Sequence, residues 1–198
     1  MKNQTLILAS TSTYRQMLLG RLGLPFTVES PGVDESTLEF EAPAATALRL
    51  AQEKAFAVAM KFPDAVVIGS DQVACCANER LDKPGTKERA LEQLKLQRGR
   101  ISEFHTAVCV MRNGGNEYHA ELVTTRVKFR PAKELTDAQL RMYIEKEMPL
   151  DCAGAAKSEG LGISLIESMD GPDPTALIGL PLIALTRLLK KVQIDILN

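Results

Sequence analysis

The sequence has no tryptophan, only two histidines and only four cysteines, and neither sign of charge dominates it. Each shortage excludes something. Twenty-four Lys and Arg stand against 25 Asp and Glu, leaving a net charge of −1 and a pI near 6.2. Such a chain has no broad positive field to attract duplex nucleic acid or anionic lipid, so any anion must be caught by a local cluster. The longest apolar runs, such as Ala65–Gly69 and Gly179–Leu185, fall far short of the roughly 20 residues of a membrane span. Leu6-Ile7-Leu8-Ala9 is too short for a signal-peptide core. Neither a nucleic-acid partner nor a membrane is expected. Cys75, Cys76, Cys109 and Cys152 form no Cys-x-x-Cys pair and have no His at zinc-finger spacing. They read as reduced, mostly buried thiols of a cytoplasmic protein. His105 and His119 lie in strand-like runs, and Gly-x-Ser-x-Gly is absent, so no Ser/His/Asp triad is expected and packing or surface is the default for both. The phosphate loop Gly-x-x-x-x-Gly-Lys, Gly-x-Gly-x-x-Gly and His-Glu-x-x-His are missing too.

What is present is an ordinary globular composition: 198 residues, 45% hydrophobic and 25% charged. That length suits one domain or one two-lobed unit, with enough apolar surface to fold without staples. Thr5–Ser10 fits a buried strand, and Ser12 caps a helix expected to reach Leu22. Phe26–Glu29 reads as a second strand, Pro43–Phe62 as a long helix and Ala65–Gly69 as the clearest buried strand, which Val73–Ala77 continues or pairs beside. Thr86 opens a helix to Gln97. Phe104–Met111 and Glu117–Phe129 flank a hairpin signal at Asn113-Gly114-Gly115-Asn116. Thr136 to Gln139 is a capping box for a helix to Glu147, with Leu135 stapled onto Leu140. A Gly-rich loop at Gly154–Gly162 precedes an expected strand Ile163–Ser168, and Pro181 opens a last helix to Val192. Alternating strands and helices with a central hairpin predict α/β with a mixed sheet.

Four polar clusters interrupt these elements. Ser10-Thr11-Ser12-Thr13-Tyr14-Arg15 puts hydroxyls, helix N–H groups and an Arg where phosphate oxygens can bind, or is simply a capped turn. Asp34-Glu35 offers oxygen ligands for Mg²⁺ or Mn²⁺, or is a solvated loop. Gly69-Ser70-Asp71-Gln72 is expected at the end of the buried strand, where ligands gather in open α/β sheets, and Lys83 follows in a loop. Cys152 to Gly160 frames Lys157 and Glu159 with small residues that allow close backbone approach.

Read together, Leu6-Ile7-Leu8-Ala9-Ser10-x-Ser12-x-x-Arg15, Val33-Asp34-Glu35, Ala51-x-x-Lys54-Ala55, Ile68-Gly69-Ser70-Asp71-Gln72, Lys83-Pro84 and Cys152-Ala153-Gly154 through Glu159-Gly160 resemble the Maf family of nucleoside triphosphate pyrophosphatases. Gly69-Ser70-Asp71-Gln72 and Lys157-Ser158-Glu159-Gly160 resemble its 7-methyl-GTP branch. The dTTP/UTP branch carries Gly-Ala-Asp-Thr and a Gln at these places. Tyr14 stands where the 7-methyl-GTP branch often has Trp. The resemblance implies a cytoplasmic enzyme that hydrolyses the α–β phosphoanhydride of 7-methyl-GTP, with a divalent cation, Mg²⁺ or Mn²⁺. It implies Asp71 as general base, Glu35 and Asp71 as metal ligands, and Arg15, Lys54 and Lys83 as charges on the triphosphate. Ser10, Ser12, Tyr14, Gln72, Lys157 and Glu159 are then the substrate-binding residues, with Glu159 and Gln72 reading the base and Tyr14 stacking on it. The implied fold is a single Maf-like (ITPase-like) domain, an elongated two-lobed α/β structure on a twisted mixed sheet with flanking helices and a central substrate cleft. Family members are commonly homodimers. The rival readings are the same chemistry on dTTP, UTP or another non-standard nucleotide, and a nucleotide-binding regulator of cell division without turnover.

Overall fold

Leu6, Ile7 and Leu8 are buried on both sides, as an uncharged run in a parallel sheet must be. They form β1 (Leu6–Leu8) of a computed structural model that describes residues 5–197. The order continues with α1 (Thr13–Gly20), β2 (Thr27–Val28), α2 (Pro43–Ala59), β3 (Val66–Cys76), β4 (Glu79–Leu81), α3 (Lys87–Gln97), β5 (Ile101–Arg112), β6 (Glu117–Phe129), α4 (Asp137–Glu147), β7 (Ile166–Asp170) and α5 (Leu182–Lys191). Among the described residues the strands form a seven-stranded sheet in the order β2-β1-β3-β5-β6-β7, with β4 paired to β3. β1 runs parallel to β2 and β3, whereas β3–β4 and β6–β7 are antiparallel. The fold is α/β with a mixed sheet, as the sequence pattern predicts.

The chain divides into two compact units. The first takes the chain up to Asp71, Thr106–Val123 and the stretch from Asp173 onward; the second takes Gln72–His105 and Thr124–Pro172. In the first, Leu6, Leu8, Val66, Ile68, Val108 and Val110 pack against Leu18 and Leu19 of α1 and Leu182, Leu185, Leu188 and Leu189 of α5. Residues two apart on a strand share a face, and neighbours point oppositely. Ile68 faces this core, so Gly69 and Asp71 face the other way, towards α2. A Cβ at Gly69 would lie 2.2 Å from the Ala51 carbonyl oxygen and 2.7 Å from the Ala55 nitrogen. Glycine is what lets α2 approach β3 this closely.

The start of α2 is held by a carboxylate outside the helix. Ala42 makes no side-chain cap. Glu41 instead accepts the Thr46 hydroxyl at 2.9 Å and Arg49 Nε at 2.7 Å. α5 is similar: Pro181 offers no capping side chain, and buried Asp173 Oδ2 accepts the Ile183 and Ala184 N–H groups at 2.7 and 3.3 Å. In the second unit the capping box of α4 forms, and Tyr143 on that helix donates its hydroxyl to Ala155 O and accepts Lys157 N–H.

Three expectations are corrected. Gly69-Ser70-Asp71-Gln72 lies inside β3, not at its end, because small and β-branched Val73 to Cys76 continue the strand. β1 pairs only with Val66–Ile68 and β4 only with Ala74–Cys76, so neither occupies the edge beside Asp71. The strand expected at Ile163–Ser168 begins three residues later, at Ile166. Leu161–Leu165 is a 3₁₀ segment instead, since Gly162 packs where a Cβ would meet Lys157 O at 2.4 Å and the chain turns tightly. Finally, α1 and α2 stop at Gly20 and Ala59, short of Leu22 and Phe62, and finish in turns.

Two outcomes follow. Gly69→Ala is expected to lower stability by about 1–3 kcal/mol or more through backbone overlap, read by denaturant unfolding. Glu41 is held down from 4.5 to about 2, first by its hydrogen bonds with Arg49. Its folded pKa is below its unfolded one, so its contribution is complete above the unfolded value and is lost as pH falls towards about 2. Glu41→Gln should flatten the acid limb of a pH–stability curve in that window.

Candidate functional site

Six of the residues singled out above meet in the first unit. Ser10 ends the turn after β1, and its Oγ accepts the Ser12 N–H at 3.2 Å and Arg15 Nη1 at 3.3 Å. Ser12 is the N-cap of α1 and accepts from Arg15 N. Arg15 Nε donates to Gly179 O at 2.9 Å. Ser70 Oγ shares its one proton between Ala107 O at 2.7 Å and the same Gly179 carbonyl at 3.1 Å. Gly179 adopts a φ of 125°, a conformation open to glycine, and this aims its carbonyl at both donors. Ser70 and Gly179 thus position the guanidinium. Ser70 belongs to the string Ile68-Gly69-Ser70-Asp71-Gln72, but the role of Gly179, 164 residues from Arg15, has no local sequence signal.

Lys54 is the centre of the group. Its Nζ lies 2.7 Å from Asp71 Oδ1 and 2.8 Å from Glu35 Oε1. The Lys54 and Asp71 side chains are 5% and 8% exposed, whereas Glu35 is 59% exposed. The pair is therefore fixed in the interior and Glu35 reaches it from solvent. A lysine on a helix usually keeps its charge in water; here the Gly69 approach carries it inside. Burial lowers the pKa of Arg15, and Asp71 and Glu35 oppose that by their charges. Two cations, Arg15 and Lys54, thus stand beside two carboxylates, Asp71 and Glu35. Carboxylate oxygens are the donors Mg²⁺ and Mn²⁺ take. The donor set fits such an ion, and Asp71 and Glu35 would hold it, with the excess positive charge offset by phosphate.

The other candidates lie elsewhere in the chain. Tyr14 is half-buried on α1, next to Arg15. Gln72, Lys83, Lys157 and Glu159 belong to the second unit. Gln72 points to the opposite face of β3 from Asp71, as strand alternation requires. Lys83 is exposed. Lys157 Nζ is turned to the Glu147 carbonyl at 3.3 Å and to Asp151 at 3.7 Å. Glu159 is exposed, and its carboxylate accepts from the Ser158 hydroxyl at 3.5 Å. Its loop is pinned by Glu147, which accepts Leu161 N–H at 2.8 Å and fills the space a Gly160 Cβ would need.

The family profile described as Maf-like protein matches residues 5–192. The chain belongs to the Maf family. Among curated relatives, "7-methyl-GTP pyrophosphatase" of Thiobacillus denitrificans is 54% identical over 98% of this chain and 95% of its own length. The proteins of that name from Aromatoleum aromaticum and Methylobacillus flagellatus are 55% and 53% identical over 96% and 97% of this chain, and 96% and 98% of their own. Among solved structures, the Ham1 protein of Staphylococcus aureus aligns with a TM-score of 0.42 and 16% identity, over 64% of this chain and 72% of its own. Among the described residues no helix is long and apolar enough to cross a membrane.

Breaking a buried pair from one side strands the other charge. Lys54→Met is expected to cost about 3–5 kcal/mol. Adding Asp71→Asn should return most of that loss, a non-additivity that a double-mutant cycle by chemical denaturation would measure.

Proposed function

We propose that this Maf protein is a hydrolase that converts 7-methyl-GTP and water to 7-methyl-GMP and pyrophosphate, removing a modified nucleotide. The observation that carries the reading is the buried Lys54–Asp71 pair with Glu35 and Arg15 beside it, in a chain more than half identical to curated 7-methyl-GTP pyrophosphatases. A binding protein has no need of a buried carboxylate at an anion site, since it repels phosphate. An enzyme needs one to take a proton.

In this reading Arg15 and Lys54 bind and neutralise the triphosphate, with Ser10, Ser12 and the N–H groups of α1 helping and Lys83 adding a further charge. Arg15 can present two parallel N–H groups to phosphate, while Lys54 acts as a point charge. Asp71 orients the attacking water and accepts its proton as oxygen bonds to the α-phosphorus and pyrophosphate departs. Lys54, 2.7 Å from Asp71 Oδ1, holds that carboxylate in place. Glu35 and Asp71 would hold a divalent cation, which would supply Lewis-acid polarisation of the phosphate oxygens.

Base choice is assigned to the second-unit residues. N7-methylation leaves a positive ring, and a carboxylate can meet that charge while accepting from N1–H and the exocyclic amine. Glu159 carries an exposed carboxylate in a pinned loop, which supports this role. Lys157 helps fix the same loop through Glu147. Gln72 is assigned a donor to O6, and Tyr14 a stacking or cation–π face. The chain works as one Maf-like domain in the cytoplasm, acting on a small nucleotide.

Pyrophosphate release from 7-methyl-GTP, GTP, dTTP, UTP and ITP with Mg²⁺ tests the reading. Preference for 7-methyl-GTP is expected; preference for dTTP or UTP would retain the chemistry and overturn the base assignment. Asp71→Asn should lower kcat by about 10²–10⁴ while nucleotide affinity persists. Absence of turnover in the unaltered protein, with binding intact, would instead support a regulator. Glu159→Gln should cut selectivity for 7-methyl-GTP over GTP by about tenfold or more, the worth of a charge-assisted hydrogen bond. Unchanged selectivity removes Glu159 from the base site.

A further inference from the structure

The second-unit portions of three adjacent strands bring together side chains that the phosphate chemistry does not use. Cys75 stands on β3, Glu103 and His105 two residues apart on one face of β5, and Thr124 on β6. The Cys75 sulfur, a His105 ring nitrogen and a Glu103 carboxylate oxygen all lie within 4.8 Å of one another. His105 Nε2 is 3.8 Å from Cys75 Sγ and 3.7 Å from Glu103 Oε2. Its other nitrogen, Nδ1, is 2.9 Å from Thr124 Oγ1. Arg126 Nε holds the second Glu103 oxygen at 3.0 Å. Beside the cluster opens a cavity of about 550 Å³, with Asp170, Gly171 and Pro172 on its wall.

We propose that Cys75, Glu103 and His105 form a binding site for one borderline-soft divalent transition metal, Zn²⁺ being the expected ion, with a fourth position open to this cavity. The geometry supports it. Zn²⁺ bonds of about 2.0–2.1 Å to N and O and about 2.3 Å to S place tetrahedral ligand atoms roughly 3.3–3.6 Å apart. The two edges that meet at His105, 3.7 and 3.8 Å, need a contraction of only tenths of an ångström, and the third lies within 4.8 Å.

The surroundings are also those of a metal site. With Nδ1–H donating to Thr124, the Nε2 lone pair faces the sulfur and the carboxylate. This is the outer-shell arrangement that fixes a ligating imidazole. Arg126 orients the carboxylate in the same way. Burial lowers the His105 pKa and so favours the neutral imidazole a metal needs. Burial and the charges of Glu103 and Cys76 raise the Cys75 thiol against a backbone hydrogen bond with Glu103, so an arriving metal must displace the thiol proton. On binding, the thiol proton leaves for solvent as the metal–sulfur bond forms. The thiolate and imidazole distinguish this site from the one assigned to Glu35 and Asp71. Hard Mg²⁺ prefers oxygen and Zn²⁺ accepts sulfur and nitrogen. All three ligands belong to the second unit, and none is shared with the Arg15–Asp71 set.

The test is titration of the metal-free, full-length protein with Co²⁺ as a spectroscopic stand-in, followed by competition with Zn²⁺, without nucleotide. A thiolate-to-cobalt band in the near ultraviolet, with the visible bands of a tetrahedral ion, is expected at one equivalent and should vanish on adding Zn²⁺. Cys75→Ser should abolish the charge-transfer band. Thr124→Val should weaken Zn²⁺ binding about 10–100-fold while touching no ligand atom. Asp71→Asn should leave the spectrum unchanged, so the outcome is independent of the pyrophosphatase reading. Circular dichroism checks that each variant folds; if Cys75→Ser does not, Glu103→Gln and Thr124→Val carry the test. No charge-transfer band in the unaltered protein, or a band that survives Cys75→Ser, overturns the proposal.

Discussion

A lysine ammonium held between two carboxylates, in a place water scarcely reaches, is the constraint around which the first unit is arranged. The Lys54–Asp71 pair exists because α2 can lie against β3 at Gly69, where any larger residue would overlap the helix backbone. Removing charges from water is costly, and a buried pair of this kind contributes little net stability. The same approach that buries the lysine also directs Asp71 to the face where Glu35 arrives from solvent.

Arg15 is placed by a different route to the same neighbourhood. Its backbone N–H belongs to the start of α1, where Ser12 accepts it, and its side chain is anchored by a carbonyl from a distant glycine. Ser70 shares that carbonyl, so strand, helix and the loop before α5 are tied at one oxygen atom. That loop is in turn fastened by Asp173, which accepts from its own Thr175 and from the first N–H groups of α5. The guanidinium is thus fixed by a backbone carbonyl and a serine hydroxyl of the chain itself.

The second unit follows another logic. Its sheet face on one side packs Phe104, Val127 and Phe129 into the interior. On the other side, Cys75, His105, Thr124 and Arg126 make a polar stripe beside a cavity. Alternation along β5 and β6 produces both faces at once. The late loop is likewise built from α4, where one buried tyrosine hydroxyl and one glutamate carboxylate satisfy backbone groups of Ala155, Lys157 and Leu161. That loop holds Glu159 at the surface on a fixed support.

Local rules determine much of this molecule from its sequence alone. The alternation of Val123 to Phe129, the capping box at Thr136 and Gln139, the cap at Ser12, the cap at Thr86 and the mixed α/β pattern all depend on neighbours a few residues apart. They appear where the pattern puts them. The motifs that resemble the Maf family are local strings as well, and the family follows from them. Tertiary structure decided what depends on distant partners. The sequence leaves open whether Val73 to Ala77 continues the strand that reaches Gly69 or pairs beside it; in the fold these small and β-branched residues continue β3 to Cys76, where Ala74–Cys76 pairs with β4. No spacing rule joins Cys75 to His105, since strand order rather than sequence separation makes them neighbours. Nor does the sequence distinguish Lys54 as a buried cation from the solvated lysine its helix position suggests. That distinction comes from how closely a helix can approach a glycine on another element, a property of two backbones in contact.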